Sequence, residues 1–231
     1  MTKEEFVKYL LDLNIKIDEE TLNKLELYKS LLQEWNNKFN LTTIISDEDI
    51  YLKHFYDSIY LMTVVDLKEK SLCDFGTGAG FPGMVLAIMN ESTKVTLIES
   101  NNKKCTFLEE VKNKLNLENV TIINDRAEIY GKTNREKFDI VTCRAVSALS
   151  IILELAISML KINGLFIPMK SNIEGEFDSS MDKAIILGYD FINKKEYKLP
   201  IEKSNRTILI YKKIKTTDSK YPRNYNIIKK Q

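Results

Sequence analysis

Apolar residues recur at helical spacing through the first part of the chain and then give way to short apolar runs alternating with further helical stretches. Phe6, Val7, Leu10, Leu11 and Leu13 predict a helix over residues 2–13, opened by a Thr2-x-x-Glu5 capping box. Asp18 caps a longer one carrying Leu22, Leu25, Tyr28, Leu32, Trp35 and Phe39, and Asn36, Asn37 and Asn40 end it. Residues 41–45 read as extended, and Ser46 with Asp49 opens a short helix reaching Tyr56. From residue 71 the period alternates. Strands are expected over 71–75, 94–99, 120–123, 138–143 and 164–169, with helices between them, Ser100 capping the one after the second strand. A helix over 174–187 and an antiparallel pair over 190–199 and 206–213 follow. The pattern predicts an α/β fold: a doubly wound, mostly parallel sheet with an antiparallel terminal pair. A helical appendage is expected at 1–60, the core at 61–215 and a basic tail at 216–231.

The first strand runs into Asp74-Phe75-Gly76-Thr77-Gly78-Ala79-Gly80-Phe81-Pro82-Gly83. Glycines there let backbone pass close to a ligand, and a strand, glycine turn and helix present unpaired amides to a polar molecule. Gly78 to Gly83 is a literal dinucleotide fingerprint, with Glu99 at a suitable distance to hold ribose hydroxyls. Counted from Asp74, the same stretch is D-x-G-x-G-x-G, which resembles the first motif of methyltransferases that use S-adenosylmethionine. The loop alone leaves three readings open: a methyl donor, NAD or FAD, and glycine turns with no ligand.

Composition narrows the class. A chain of 231 residues, 44% hydrophobic and 29% charged, suits one α/β core with a small addition. With neither a signal-peptide pattern nor a long charge-free apolar window, a cytoplasmic location and no membrane partner are expected. Cys73, Cys105 and Cys143 are widely spaced, and His54 is the sole imidazole, which argues against disulfides and metal sites. Net charge is +1, but between Lys194 and Lys230 twelve Lys or Arg face Glu196, Glu202 and Asp218. That local surplus suits a polyanion or an ordinary solvated face.

Asp74, Glu99, Asp125, Arg126, Arg144 and Lys170 all fall at strand ends on one side, where doubly wound sheets bind ligands. His54, Asp57 and Ser58 lie within about one helical turn, which makes a hydrolase triad a weak reading; they are better suited to orient a neighbouring loop, with Asn40-Leu41-Thr42 expected to be ordered over the ligand site. Arg144 can serve a ligand or pair with Asp139 or Glu128.

Asn40-Leu41-Thr42, His54-x-x-Asp57-Ser58, the glycine loop through Gly80-Phe81-Pro82-Gly83, Arg126-Ala127-Glu128, Cys143-Arg144-Ala145 and Tyr221-Pro222-Arg223 together resemble one family. It is the bacterial 16S rRNA guanosine N7 methyltransferases, also called glucose-inhibited division protein B, which act on guanosine 527. The resemblance implies a class I methyltransferase (Rossmann-like) fold, S-adenosylmethionine as donor, and 16S rRNA of the 30S subunit or an assembly intermediate as acceptor, with no stable protein partner. It implies a donor site at Asp74, Gly76, Thr77, Gly78, Gly80, Phe81, Glu99, Asp125, Arg126, Ala127, Glu128 and Arg144. Asp74 orders the turn or receives the donor's ammonium, and the adenine lies near Arg126-Ala127-Glu128. Arg144 and Lys170 are the expected catalytic residues, holding guanine O6 or a neighbouring phosphate. The family usually continues past Tyr-Pro-Arg to a closing lysine-proline-leucine, whereas this chain ends Asn224-Tyr225-Asn226-Ile227-Ile228-Lys229-Lys230-Gln231.

Overall fold

The computed structural model of the chain describes residues 1–230. Its single sheet is built from β1 (Ser71–Phe75), β2 (Lys94–Glu99), β3 (Val120–Asn124), β4 (Phe138–Arg144), β5 (Leu160–Lys170), β6 (Tyr189–Lys198) and β7 (Asn205–Lys213), ordered β3-β2-β1-β4-β5-β7-β6. The first five strands pair in parallel, and β7 lies antiparallel between β5 and β6. β1 is central, so Leu72 to Phe75 is buried on both faces and reads as a continuous run. The chain leaves β1 towards β2 on one side and returns to β4 on the other. That reversal opens a crevice at the carboxyl ends of β1, β2 and β4.

The helices are α1 (Lys3–Asp12), α2 (Glu19–Asn36), α3 (Asp47–Asp49), α4 (Asp57–Ile59), α5 (Gly83–Met89), α6 (Asn102–Lys114), α7 (Ala127–Thr133), α8 (Leu149–Ile157), α9 (Glu176–Leu187) and α10 (Tyr225–Ile228). One apolar cluster joins Phe6, Leu25, Tyr28 and Phe55 to Met84, Leu97 and Phe107, so the N-terminal helices share a core with one face of the sheet. A second joins Phe75, Val141 and Phe166 to Leu153, Leu187 and the tail's Ile228 on the other face.

Several boundaries differ from the pattern. The short helix expected to stop at Tyr56 runs on: α3 passes into a π-helical segment, Ile50–Tyr56, then α4 and a 3-10 turn, Tyr60–Thr63. Apolar periodicity does not register a widened helical turn. β5 begins at Leu160, before Gly164, with an irregular register against Phe138 and Ile140. α9 begins only at Glu176, because Gly175 before it takes a left-handed φ of 73°. Asn101, not Ser100, caps α6, its side chain accepting from the amides of Lys103 and Lys104.

Candidate active site

The glycine loop is shaped from beneath by Asp74. Gly76, Gly78 and Gly80 have φ values of 64°, 63° and 103°, which side-chain-bearing residues rarely adopt. Asp74 is wholly buried, and its Oδ2 accepts from Thr77 Oγ1 at 2.6 Å and from the Gly83 amide at 2.8 Å. Desolvation pushes its pKa up to about 7, against the pull of those two hydrogen bonds and of the Arg144 charge. Glu99 secures the front of the turn: Oε2 accepts from the Gly78 amide at 2.9 Å and Oε1 from the Asn101 amide at 2.8 Å. The Tyr28 hydroxyl donates to the Ala79 carbonyl.

In front of the loop lies a narrow crevice of about 130 Å³. Gly76, Ile98 and Val146 line its inner part, while Asp125, Arg126, Ala127, Glu128 and Tyr225 also border it. Arg126 Nε donates to Glu128 Oε1 at 2.6 Å, and its guanidinium lies 5.2 Å from the centre of the Tyr225 ring. Of the expected donor-site residues, Asp74, Thr77, Gly78, Gly80, Phe81, Glu99 and Arg144 do not border this crevice. Thr77 serves Asp74, and Phe81 turns back to stack on His54, with ring centres 4.0 Å apart and planes 5° from parallel.

His54 and the ends of β4 and β5 border a roomier cavity of about 540 Å³, lined in part by Thr42, Arg144, Ala145, Lys170 and Arg206. Arg144 organises it. Its Nη1 donates to the Lys53 carbonyl at 2.8 Å and to Asp57 Oδ2 at 2.7 Å. Its Nη2 lies 3.2 Å from His54 Nδ1. A guanidinium only donates, so Nδ1 carries the lone pair, and the ring proton sits on Nε2, 3.3 Å from Thr42 Oγ1. Burial, with the Arg144 charge, lowers the His54 pKa to about 2 and keeps the ring neutral. Asp57 Oδ1 accepts from the Tyr197 hydroxyl at 2.8 Å and lies 3.3 Å from Arg206 Nε.

The partner of Arg144 is therefore Asp57, not Asp139 or Glu128. Asp139 takes Lys161 and Ser71 at the opposite end of the strands, and Glu128 takes Arg126. Lys170 lines the cavity wall, but its ammonium is engaged by Glu176 Oε2 at 2.8 Å and by the Ser147 carbonyl at 3.0 Å. It thereby ties the Arg144–Leu149 connection to the start of α9. Ser58 is turned away, donating to the His54 carbonyl at 2.5 Å, so no triad forms. A hollow of about 950 Å³ adjoins this cavity through Ser171, Asn172 and Arg206.

A family model described as rRNA small subunit methyltransferase G matches residues 21–205. The chain belongs to that family. Ribosomal RNA small subunit methyltransferase G of Bacillus subtilis is 44% identical over 227 residues, covering 96% of this chain and 95% of the relative. The Fusobacterium nucleatum protein of the same name is 44% identical over 225 residues, covering 97% of each. Among solved structures, a SAM-dependent O-methyltransferase from Thermotoga maritima superposes with a TM-score of 0.55 at 17% identity, over 81% of this chain and 72% of that one. The fold is accordingly that of class I methyltransferases.

Within this methyltransferase G fold, Thr42, expected in a segment that His54 orders over the ligand site, forms part of the wall of the larger cavity. Sequence reasoning misses three contributors. Tyr197 and Arg206 come from the antiparallel pair and complete the Asp57 cluster. Tyr225 comes from the tail and borders the small crevice. None of the three carries a local signal in the sequence.

Proposed function

We propose that this protein transfers the methyl group of S-adenosylmethionine to N7 of guanosine 527 in 16S rRNA, acting on the 30S subunit or an assembly intermediate. The observation that carries this reading is the pair of cavities, one at the glycine loop and one at Arg144, lined by the consecutive residues Val146 and Ala145 respectively. The names of the B. subtilis and F. nucleatum relatives support rRNA of the small subunit as the acceptor.

The residues present fit the donor. At Gly76 an added Cβ would press within 2.7 Å of Val146, so only a glycine keeps that side of the crevice open. Glu99 is a carboxylate at the end of β2 with each oxygen already accepting one amide, and each retains a lone pair for a ribose hydroxyl. Asp125 and Glu128 border the small crevice, which Glu99 itself does not line, and can accept from a purine amine. When bound, S-adenosylmethionine supplies a methyl group on a sulfonium, which needs no further activation.

The protein's task is then alignment. Guanine N7 has an in-plane lone pair and no proton, so no general base is required, and a neutral His54 is consistent with that. Arg144 commits both Nη1 hydrogens and one on Nη2 to Lys53, Asp57 and His54. Its Nε–H and the remaining Nη2–H can donate to guanine O6, an acceptor that Arg matches well. Asp57, held between Arg144 and Arg206, offsets positive charge beside a base that becomes cationic. Lys170 acts as a positioning residue for the loop after Arg144. The deciding experiment incubates the protein and labelled donor with 30S subunits lacking the modification, then maps the methylated nucleotide. Label at another nucleotide, or none, would refute the assignment.

A further inference from the structure

Charge alone directs the C-terminal tail towards a polyanion, yet its central part is fixed to the body of the protein. Arg135 donates to the carbonyls of Thr217 at 2.6 Å and Tyr221 at 2.7 Å. Arg223 donates from its amide and Nε to Glu154 Oε1, at 3.0 and 2.8 Å, and from Nη2 to Oε2 at 2.5 Å; Glu154 itself is wholly buried. Beyond them Ile228 is buried in the cluster that contains Leu155 and Ala156. Asn224 opens α10 by accepting from the Asn226 amide. With both sides of the helix anchored, Tyr225 is held at the small crevice, where it lies beside Gly76, Ile98, Ala127, Glu128 and Val146. Arg126, steadied by Glu128, packs over the same ring.

We infer that Tyr225 is a donor-binding residue whose ring forms an aromatic wall for the adenine of S-adenosylmethionine. This rests on the methyltransferase reading and extends it to a part of the chain assigned to the tail. The crevice is narrow, apolar at Ile98, Val146 and Leu155, and bordered by carboxylates at Asp125 and Glu128. A flat, π-faced heterocycle with an amine on its edge matches those walls, and base stacking on an aromatic side chain tolerates small differences in the ring's position. The hydroxyl of Tyr225 is not needed for this contact.

The test is calorimetric titration of S-adenosylhomocysteine into the full-length protein, its variants Tyr225→Phe, Tyr225→Leu and Tyr225→Ala, and Lys229→Ala as a control on the residue that ends the same short helix. The expected order is wild type, Phe and Lys229→Ala alike, Leu several-fold weaker, and Ala about tenfold weaker. Thermal melting of each variant accompanies the titrations. Should Tyr225→Ala lose its fold, the comparison of Phe with Leu decides, because both retain bulk. Equal affinities for Phe and Leu would overturn the inference, as would an alanine variant within twofold of wild type. Wild-type protein that binds no S-adenosylhomocysteine would instead bring down the methyltransferase reading, and the inference with it.

Discussion

Two buried carboxylates hold the site together at single positions. Asp74 keeps its loop folded while its Oδ1 finds no hydrogen-bond partner among the described residues. With its folded pKa raised from 3.8 to about 7, the native state holds a proton that the unfolded chain has released. Its contribution to stability is therefore fully present below about pH 4 and is lost as pH rises through about 7. Urea unfolding from pH 4 to 8 should show wild-type protein losing stability relative to Asp74→Asn over that window, by about 1.4 kcal/mol for each pH unit crossed between the unfolded and folded pKa values. Parallel curves for the two proteins would mean that Asp74 is ionised throughout. Asp57, also buried, is paired from two sides, by Arg144 on one oxygen and by Tyr197 and Arg206 on the other. Arg144→Ala should remove methyl transfer and cost about 2–4 kcal/mol, less than the loss of a sole partner because Arg206 and Tyr197 remain. Full transfer by that variant to unmodified 30S subunits would remove Arg144 from the proposed site.

At the level of elements, the start of α5 depends on close approach. A Cβ on Gly83 would collide with Leu97 and with Asp74, whose carboxylate accepts from the Gly83 amide. Gly83→Ala is expected to cost about 2–3 kcal/mol by overpacking, and to weaken S-adenosylhomocysteine binding with it. A thermal melt matching wild type would show that the turn yields without strain. This loop was legible in the sequence because glycine spacing, Asp74 and Glu99 all lie on consecutive elements. The strands were legible for the same local reason. What escaped was long-range: Asp57 and Arg144 are 87 residues apart, and the helix that carries Asp57 contains a π-helical segment to which hydrophobic periodicity is blind. The tail illustrates the limit of composition. Lys213 of β7 and Arg223 of the tail both count towards the positive surplus between Lys194 and Lys230, yet Lys213 is wholly buried against the carbonyls of Ile157 and Leu160, and Arg223 is bound to Glu154.

For the whole molecule, those inward-turned cations change where an RNA would lie. The cavity at Arg144 adjoins the hollow of about 950 Å³ through Ser171, Asn172 and Arg206, and Lys194 and Lys198 of β6 line that hollow. β6 is the last strand of the sheet, and Lys194, Lys195 and Lys198 are exposed along it, which also discourages edge-to-edge pairing. A substrate base entering at Arg144 would bring its flanking phosphates towards this strand. Replacing Lys194 and Lys198 together by Ala should raise KM for 30S subunits and lower the slope of log affinity against log salt by roughly 1–2, because each phosphate contact contributes about 0.7–0.9. S-adenosylhomocysteine affinity should stay at the wild-type value, since neither lysine borders the donor crevice. Lys229→Ala with Lys230→Ala serves as the comparison. If the RNA instead tracked the end of the tail, that pair would carry the larger change in slope and the β6 pair almost none, so one salt series decides which surface the RNA follows.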